Sequence, residues 1–217
     1  MPTNLVLVGP PGVGKGTQAK LLSQRLGLLH LASGDMFRTE IAAGTEIGLK
    51  AKEYMDRGDL VPDEVPIGMM EPRLSTERAK TSGFVLDGFP RTVAQAEALD
   101  GLLNKLGLEI TRVVSLEIED QVVVDRLSGR RICPNCGAIY HLAAKPPRVD
   151  EICDVCGAEL TIRADDNPDT IRQRLRQFHA QSQPVLNYYA GSGKLHPVDC
   201  DRQVEEIFNC VVEGLTV

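Results

Sequence analysis

Short apolar runs alternate with helix-length amphipathic stretches along this chain. Leu5 to Val8, Leu28 to Leu31, Phe84 to Asp87, Arg112 to Glu117 and Leu195 to Asp199 predict strands. Lys15 to Leu26, Pro62 to Arg78, Val93 to Leu106, Asp120 to Ser128 and Pro168 to Tyr189 predict the helices between them. In the last of these, Asn167 stands at a good cap position and Pro168 occupies the first turn, where a missing N–H does no harm. Pro72 falls inside its predicted helix, where the lost hydrogen bond predicts a kink. Val204, Ile207, Phe208, Val211 and Val212 recur at helical spacing and predict a C-terminal helix with one apolar face on the sheet. Strands joined by crossover helices form parallel sheets, so the pattern predicts an α/β fold.

Two stretches depart from the alternation. Ser33 to Val61 holds two or three helices without an intervening strand, and Arg130 to Asp166 is rich in Cys, Gly and Pro with short β-like runs. Both read as excursions from one sheet. At 217 residues with 42% hydrophobic content, the chain can bury one sizeable core plus an inserted subdomain, which excludes disorder and fibres. Its apolar runs fall far short of the ~20 residues that span a bilayer. Met1 to Asn4 carries no basic start of a secretion signal, so a cytoplasmic protein is expected.

Charge narrows the chemistry. The formal net charge of −6 argues against sequence-independent binding to a nucleic acid backbone, so any anion site must be local. The basic residues are 16 Arg and 8 Lys, and the planar Arg fork matches phosphate oxygens two at a time. Gly9-Pro10-Pro11-Gly12-Val13-Gly14-Lys15-Gly16-Thr17 follows a predicted strand and opens a predicted helix, the context that a G-x-x-x-x-G-K phosphate loop requires. Gly12 and Gly14 let backbone N–H groups aim inward, the helix adds its positive end, and Lys15 supplies a mobile charge for the β- and γ-phosphates. Gly16 follows the lysine, which displaces the usual metal-binding hydroxyl by one position to Thr17 and weakens a GTPase or motor reading. Asn104-Lys105-Leu106-Gly107 also lacks the acidic residue that would pair with guanine.

Cys133-x₂-Cys136 and Cys153-x₂-Cys156, with 16 residues between the pairs, have the spacing of a four-thiolate ribbon. Four thiolates fill a tetrahedron and leave no open position, so a metal here would be structural. Zinc is the first expectation, while iron and cobalt also suit an S₄ site. His141 is read as an ordinary side chain of this segment. His30, His179 and His196 show no ligand or triad spacing, and Cys200 and Cys210 read as packed thiols. A nucleic-acid-binding ribbon is the rival. Lys145 and Arg148 face Asp150, Glu151, Asp154 and Glu159 across Gly137 to Leu160, however, and such a surface lacks the required basic stripe.

Further motifs punctuate the chain: Ser33-Gly34-Asp35-Met36-Phe37-Arg38, Gly58-Asp59-Leu60-Val61-Pro62-Asp63, Asp87-Gly88-Phe89-Pro90-Arg91-Thr92, Gly129-Arg130-Arg131 and Arg163-Ala164-Asp165-Asp166. With the phosphate loop and the cysteine ribbon, this series resembles the adenylate kinase family in its long-lid form with a metal-binding lid. The resemblance runs from Leu5 to the C-terminal helix. It implies a P-loop three-layer fold with a five-stranded parallel sheet, a helical monophosphate-binding insertion at 33–61, a zinc-ribbon-like lid at 130–166, and a core made of 1–32, 62–129 and 167–217. The implied reaction is reversible, Mg-dependent transfer of phosphate from ATP to AMP, giving two ADP, by a monomer that binds neither nucleic acid nor membrane.

Residue roles follow by the same resemblance. Lys15, Arg91, Arg130, Arg163 and Arg174 would carry the catalytic charge. Gly12, Gly14, Lys15, Gly16, Thr17, Arg126 and Arg130 would bind ATP, with Arg126 beside the donor base. Ser33, Arg38, Leu60, Val61, Gly88, Arg91, Gln95, Arg163 and Arg174 would bind AMP, with Ser33 and Gln95 at its adenine. Gln95 offers a donor and an acceptor, as an adenine edge requires, and the alternative is a solvated position on its helix. Asp87, ending its strand near the loop, would hold Mg²⁺ through water, the alternative being a capping aspartate at a turn. In many relatives Gly follows the position of Asp199, where this chain has Cys200.

Overall fold

The computed structural model describes residues 2–215, so Met1 of the opening segment lies outside the described residues. β1 (Asn4–Val8) is buried along its length, and its residues divide between two cores. Val6 and Val8 join Met70, Leu74, Phe84, Leu99 and Val185, whereas Leu5 and Leu7 join Leu22, Val114, Phe208 and Val211. Alternation into two cores is what a strand covered on both faces requires. After the glycine loop come α1 (Lys15–Leu26) and β2 (Leu29–Ala32). Next in the chain are α2 (Ser33–Ala42), α3 (Glu46–Arg57), α4 (Glu64–Leu74), α5 (Glu77–Ser82) and β3 (Phe84–Asp87). α6 (Val93–Leu106), β4 (Arg112–Glu117) and α7 (Asp120–Ser128) lead to a hairpin of β5 (Arg130–Ile132) and β6 (Ile139–His141). α8 (Pro168–Gln177), α9 (Gln183–Ala190), β7 (Leu195–Asp199) and α10 (Val204–Glu213) complete the chain.

Among the described residues, five strands form one parallel sheet in the order β2-β3-β1-β4-β7. Three strands have the expected bounds; β1 starts one residue earlier and β2 is shifted by one. Two predicted helices differ. The predicted stretch divides in two: Pro72 lies inside α4, which stops at Leu74, and Thr76 accepts the Ala79 N–H to cap a new helix. The long stretch after Asn167 contains a π turn over Phe178–Ser182, separated from Pro184 by Gln183 alone. Pro184 has no N–H to give the carbonyl four residues back, and the wider turn accommodates that loss. Asn167 caps α8 as expected, accepting the Thr170 N–H.

The two excursions have cores of their own. Phe37, Ala51 and Val61 hold α2 against α3, while Tyr140, Leu160, Cys133 and Cys153 cluster beneath the hairpin. No helix among the described residues is long and apolar enough to cross a membrane.

Candidate active site

A cleft of about 1430 Å³ opens at the C-terminal ends of the central strands. Sheet register builds its floor. Leu7 of β1 pairs with Asp87 of β3, so the loop leaving Val8 runs beside the Asp87 carboxylate. A methyl on Gly16 would lie 3.2 Å from Asp87 Oδ2. Gly14 adopts φ 111°, a conformation open to glycine, and starts α1 so that its first amides face the cleft without intrahelical acceptors. Gly12 lies over Leu127, and Gly12, Gly14, Gly16 and Thr17 all line the cleft. Lys15 Nζ donates to the carbonyls of Gly9 (2.7 Å) and Pro10 (2.8 Å). Burial, reinforced by Arg91, Arg174 and Arg130, lowers its amine to about 7 against the pull of Asp87. Burial raises the Asp87 carboxyl, but His30, Lys15 and Arg91 outweigh it and hold the group below the ordinary carboxylate value. His30 Nε2 lies 3.6 Å from Asp87 Oδ2, a neighbour its spacing in the sequence does not announce.

Five arginines from four segments meet in this space: Arg38 on α2, Arg91 after β3, Arg130 and Arg163 from the ribbon's two ends, and Arg174 on α8. Their proximity is visible in their protonation. Burial and then Arg174 and Arg38 lower Arg91 to about 10, and burial, Arg38 and Arg130 do the same to Arg163. Arg163 Nε is buried with no hydrogen-bond partner among the described residues, an orphaned donor in a cationic cleft. An array of this charge and geometry suits an anionic ligand.

Carboxylates hold the arginines in place. Asp166, fully buried, accepts Arg130 Nε and Nη2 at 2.7 and 2.6 Å and Arg174 Nη1 at 3.2 Å. Asp165 adds a 3.0 Å ion pair to Arg174, and Asp35 holds Arg38 at 2.6 Å. All three aspartates stand inside sequence motifs, Ser33 to Arg38 and Arg163 to Asp166, where their alternation with arginines is the one sign of this role. Arg91 Nε donates to the Gly88 carbonyl (2.7 Å). Gly88 has φ 72°, and a methyl there would lie 2.8 Å from Arg91 Nη2 and 3.0 Å from Ser33 Oγ, so glycine alone admits both neighbours.

At one end of the cleft, Ser33 donates to the Gly88 carbonyl (2.6 Å), and Leu60, Val61 and Gln95 line the wall. Gln95 is buried, which sets aside the solvated alternative. At the other end, Arg126 donates to the carbonyls of Cys200 (3.0 Å) and Val13 (3.4 Å), which gives the turn at Cys200 a defined place under the cleft.

The four ribbon sulfurs lie within 4.8 Å of one another, with Cys133–Cys156 at 3.4 Å and Cys136–Cys153 at 3.5 Å. Zinc–thiolate bonds of about 2.3 Å in a tetrahedron put sulfurs about 3.8 Å apart, so the cluster has the size of one ion. Matching turns build it. The Gly137 N–H bonds the Cys133 carbonyl and the Gly157 N–H bonds the Cys153 carbonyl. His141 stays outside: its Nδ1 accepts the N–H groups of Ala143 and Ala144. His179 bridges Gln183 and Asp120, and His196 meets the Cys210 carbonyl.

The sequence pattern of the family described as adenylate kinase matches residues 7–194. An adenylate kinase of Geobacillus sp. (strain WCH70) is 51% identical over 98% of this chain and 98% of its own length. One from Caldicellulosiruptor bescii is 52% identical over 88% of each chain, and one from Archaeoglobus fulgidus is 48% identical over 94% of each.

Proposed function

The chain belongs to the adenylate kinase family of nucleoside monophosphate kinases, and on that premise we propose the part that each group in the cleft plays. The reaction is reversible transfer of the γ-phosphoryl group from Mg-ATP to AMP, giving two ADP. In the proposed arrangement, the glycine loop, through Gly12, Gly14, Lys15, Gly16 and Thr17, holds the donor's phosphates, and Arg126 lies beside its base. Arg38 and Arg91 hold the acceptor phosphate. Arg130, Arg163 and Arg174 meet the transferring group and spread positive charge over its oxygens, which is the main catalytic demand of phosphoryl transfer. Asp87 orients the water shell of the nucleotide's Mg²⁺, an ion that dehydrates reluctantly. Ser33, Gln95 and the backbone near Leu60, Val61 and Gly88 bound the acceptor's adenosine. The convergence of five arginines on the Lys15 loop in one cleft carries this reading.

Residues 33–61 and 130–166 are proposed as two flaps on a core of 1–32, 62–129 and 167–217, working within a monomer because one chain supplies every group named. Cys133, Cys136, Cys153 and Cys156 would hold a structural Zn²⁺, a closed S₄ site that ties the lid without touching substrate. Thiolates kept free for a metal suit a reducing compartment, which supports a cytoplasmic place of action.

A coupled assay over a panel of donor and acceptor nucleotides tests the assignment. ATP with AMP is the preferred pair, and Arg91→Ala should fold yet lose at least about a hundredfold in turnover. ATP hydrolysis at equal rate without any monophosphate would overturn the roles proposed.

A further inference from the structure

Asp63 precedes α4 at the cap position, yet its side chain makes no capping bond there. It turns instead toward the start of α6. Asp63 Oδ1 accepts Thr92 Oγ1 at 3.0 Å and Gln95 Nε2 at 2.7 Å. On the other side of the same carboxamide, Gln95 Oε1 accepts the Arg91 N–H at 2.8 Å. The Gln95 side chain is therefore gripped at both atoms, by an acceptor on its nitrogen and a donor on its oxygen. Reversing the amide would set Nε2 against the Arg91 N–H and Oε1 against a carboxylate oxygen, two repulsive contacts at a residue only 2% exposed.

We propose that Asp63 is a specificity-determining positioning residue that locks the Gln95 carboxamide in the orientation that reads adenine and refuses 6-oxopurines. The inference rests on the placement of Gln95 at the acceptor base. With one protein partner on each atom, the amide keeps one N–H on Nε2 and one lone pair on Oε1 for a ligand. Adenine presents the matching pair, an acceptor at N1 and an amino donor at C6. Hypoxanthine and guanine present the reverse, a donor at N1 and an acceptor at C6. An unrestrained glutamine would serve either edge by rotating half a turn; a gripped one serves adenine. Thr92 ties the lock to the fold, since its hydroxyl donates to Asp63 while accepting the Gln95 N–H at the helix start.

Replacing Asp63 by Asn keeps the shape but offers Gln95 a donor as well as an acceptor, which removes one of the two repulsive contacts that oppose the reversed amide and leaves the Arg91 N–H as the other. In Asp63→Asn and Asp63→Ala, the ratio of kcat/KM for AMP over inosine monophosphate should fall at least about tenfold, whatever happens to melting temperature. A purely structural Asp63 would lower stability and leave that ratio alone, so a ratio within about twofold of the starting protein in the folded variants overturns the lock. The unmutated chain offers a readout independent of variant folding. Its Gln95 side-chain amide resonances should report the same protein partners with AMP and with inosine monophosphate, and a reversed amide in the latter complex refutes the proposal. Gln95→Ala separates the two levels. If it leaves the ratio as it was, the placement of Gln95 fails and the lock with it. If it collapses the ratio where Asp63→Asn does not, only the lock fails.

Discussion

At the scale of residues, the cleft is a balance of buried charge. Lys15 illustrates it: burial and three nearby arginines bring its amine down to about 7, so above that pH the group is largely neutral before nucleotide arrives. Polyphosphate favours the charged form, so its binding should draw a proton onto the chain. Calorimetry at pH 8 in buffers of different ionisation enthalpy should show net uptake that vanishes by about pH 5.5, where the amine is already charged, and that is lost in Lys15→Met. Asp166 carries the opposite sign and the same logic. Buried between Arg130 and Arg174, it supplies their counter-charge. Asp166→Ala should therefore cost about 3 kcal/mol in urea unfolding, because it strips Arg130 of its carboxylate partner and leaves Arg174 with Asp165 alone in a region of low dielectric.

Elements act here as carriers of charge. α8 brings Arg174 to the cleft and follows directly on the segment that holds Asp165 and Asp166, so the lid's exit and the helix share one set of ion pairs. The cysteine ribbon contributes no group to the proposed chemistry, and its four sulfurs lie within 4.8 Å of one another. A metal held there would be coupled to local folding, since unbound thiolates would repel one another. Replacing Cys153 and Cys156 together by Ser should remove about one ion per chain, measured by elemental analysis, and lower the melting temperature. Turnover should remain measurable in the cold. Loss of all turnover in a folded, metal-free variant would make the ribbon part of the catalytic apparatus.

Across the whole molecule, the arginines sit on segments that only the completed fold brings together, and the cleft is wide enough for two nucleotides. Open, such a site would pass phosphate to water; closed, it would exclude water and complete the charge array around an acceptor. Two nucleotides bridging the flaps should therefore draw them toward the core. With labels at the exposed positions Leu49 and Val155 and a reference on the core, a bisubstrate analogue joining two adenosines through phosphates should shorten both flap-to-core distances. Unchanged distances would refute closure.

Chemistry written over short spans was legible in the residues themselves. The loop at 9–17, the C-x-x-C turns and the apolar runs of three strands are written within a few positions, and that local pattern suffices to mark them, although the strands' partners lie far along the chain. Resemblance added the arginines' roles, but their partners came from the fold. Asp166 lies 36 positions from Arg130, Asp63 lies 32 from Gln95, and Asp87 meets the loop through sheet register. Periodicity carries no information about pairs so distant, because it reports which face is buried and is silent on what lies opposite. The helix ends tell the same story from the other side. Pro72 and Pro184 announce a missing N–H in the sequence, yet whether the chain breaks, kinks or widens its turn depends on what can satisfy the freed carbonyl and on how the neighbouring helices pack.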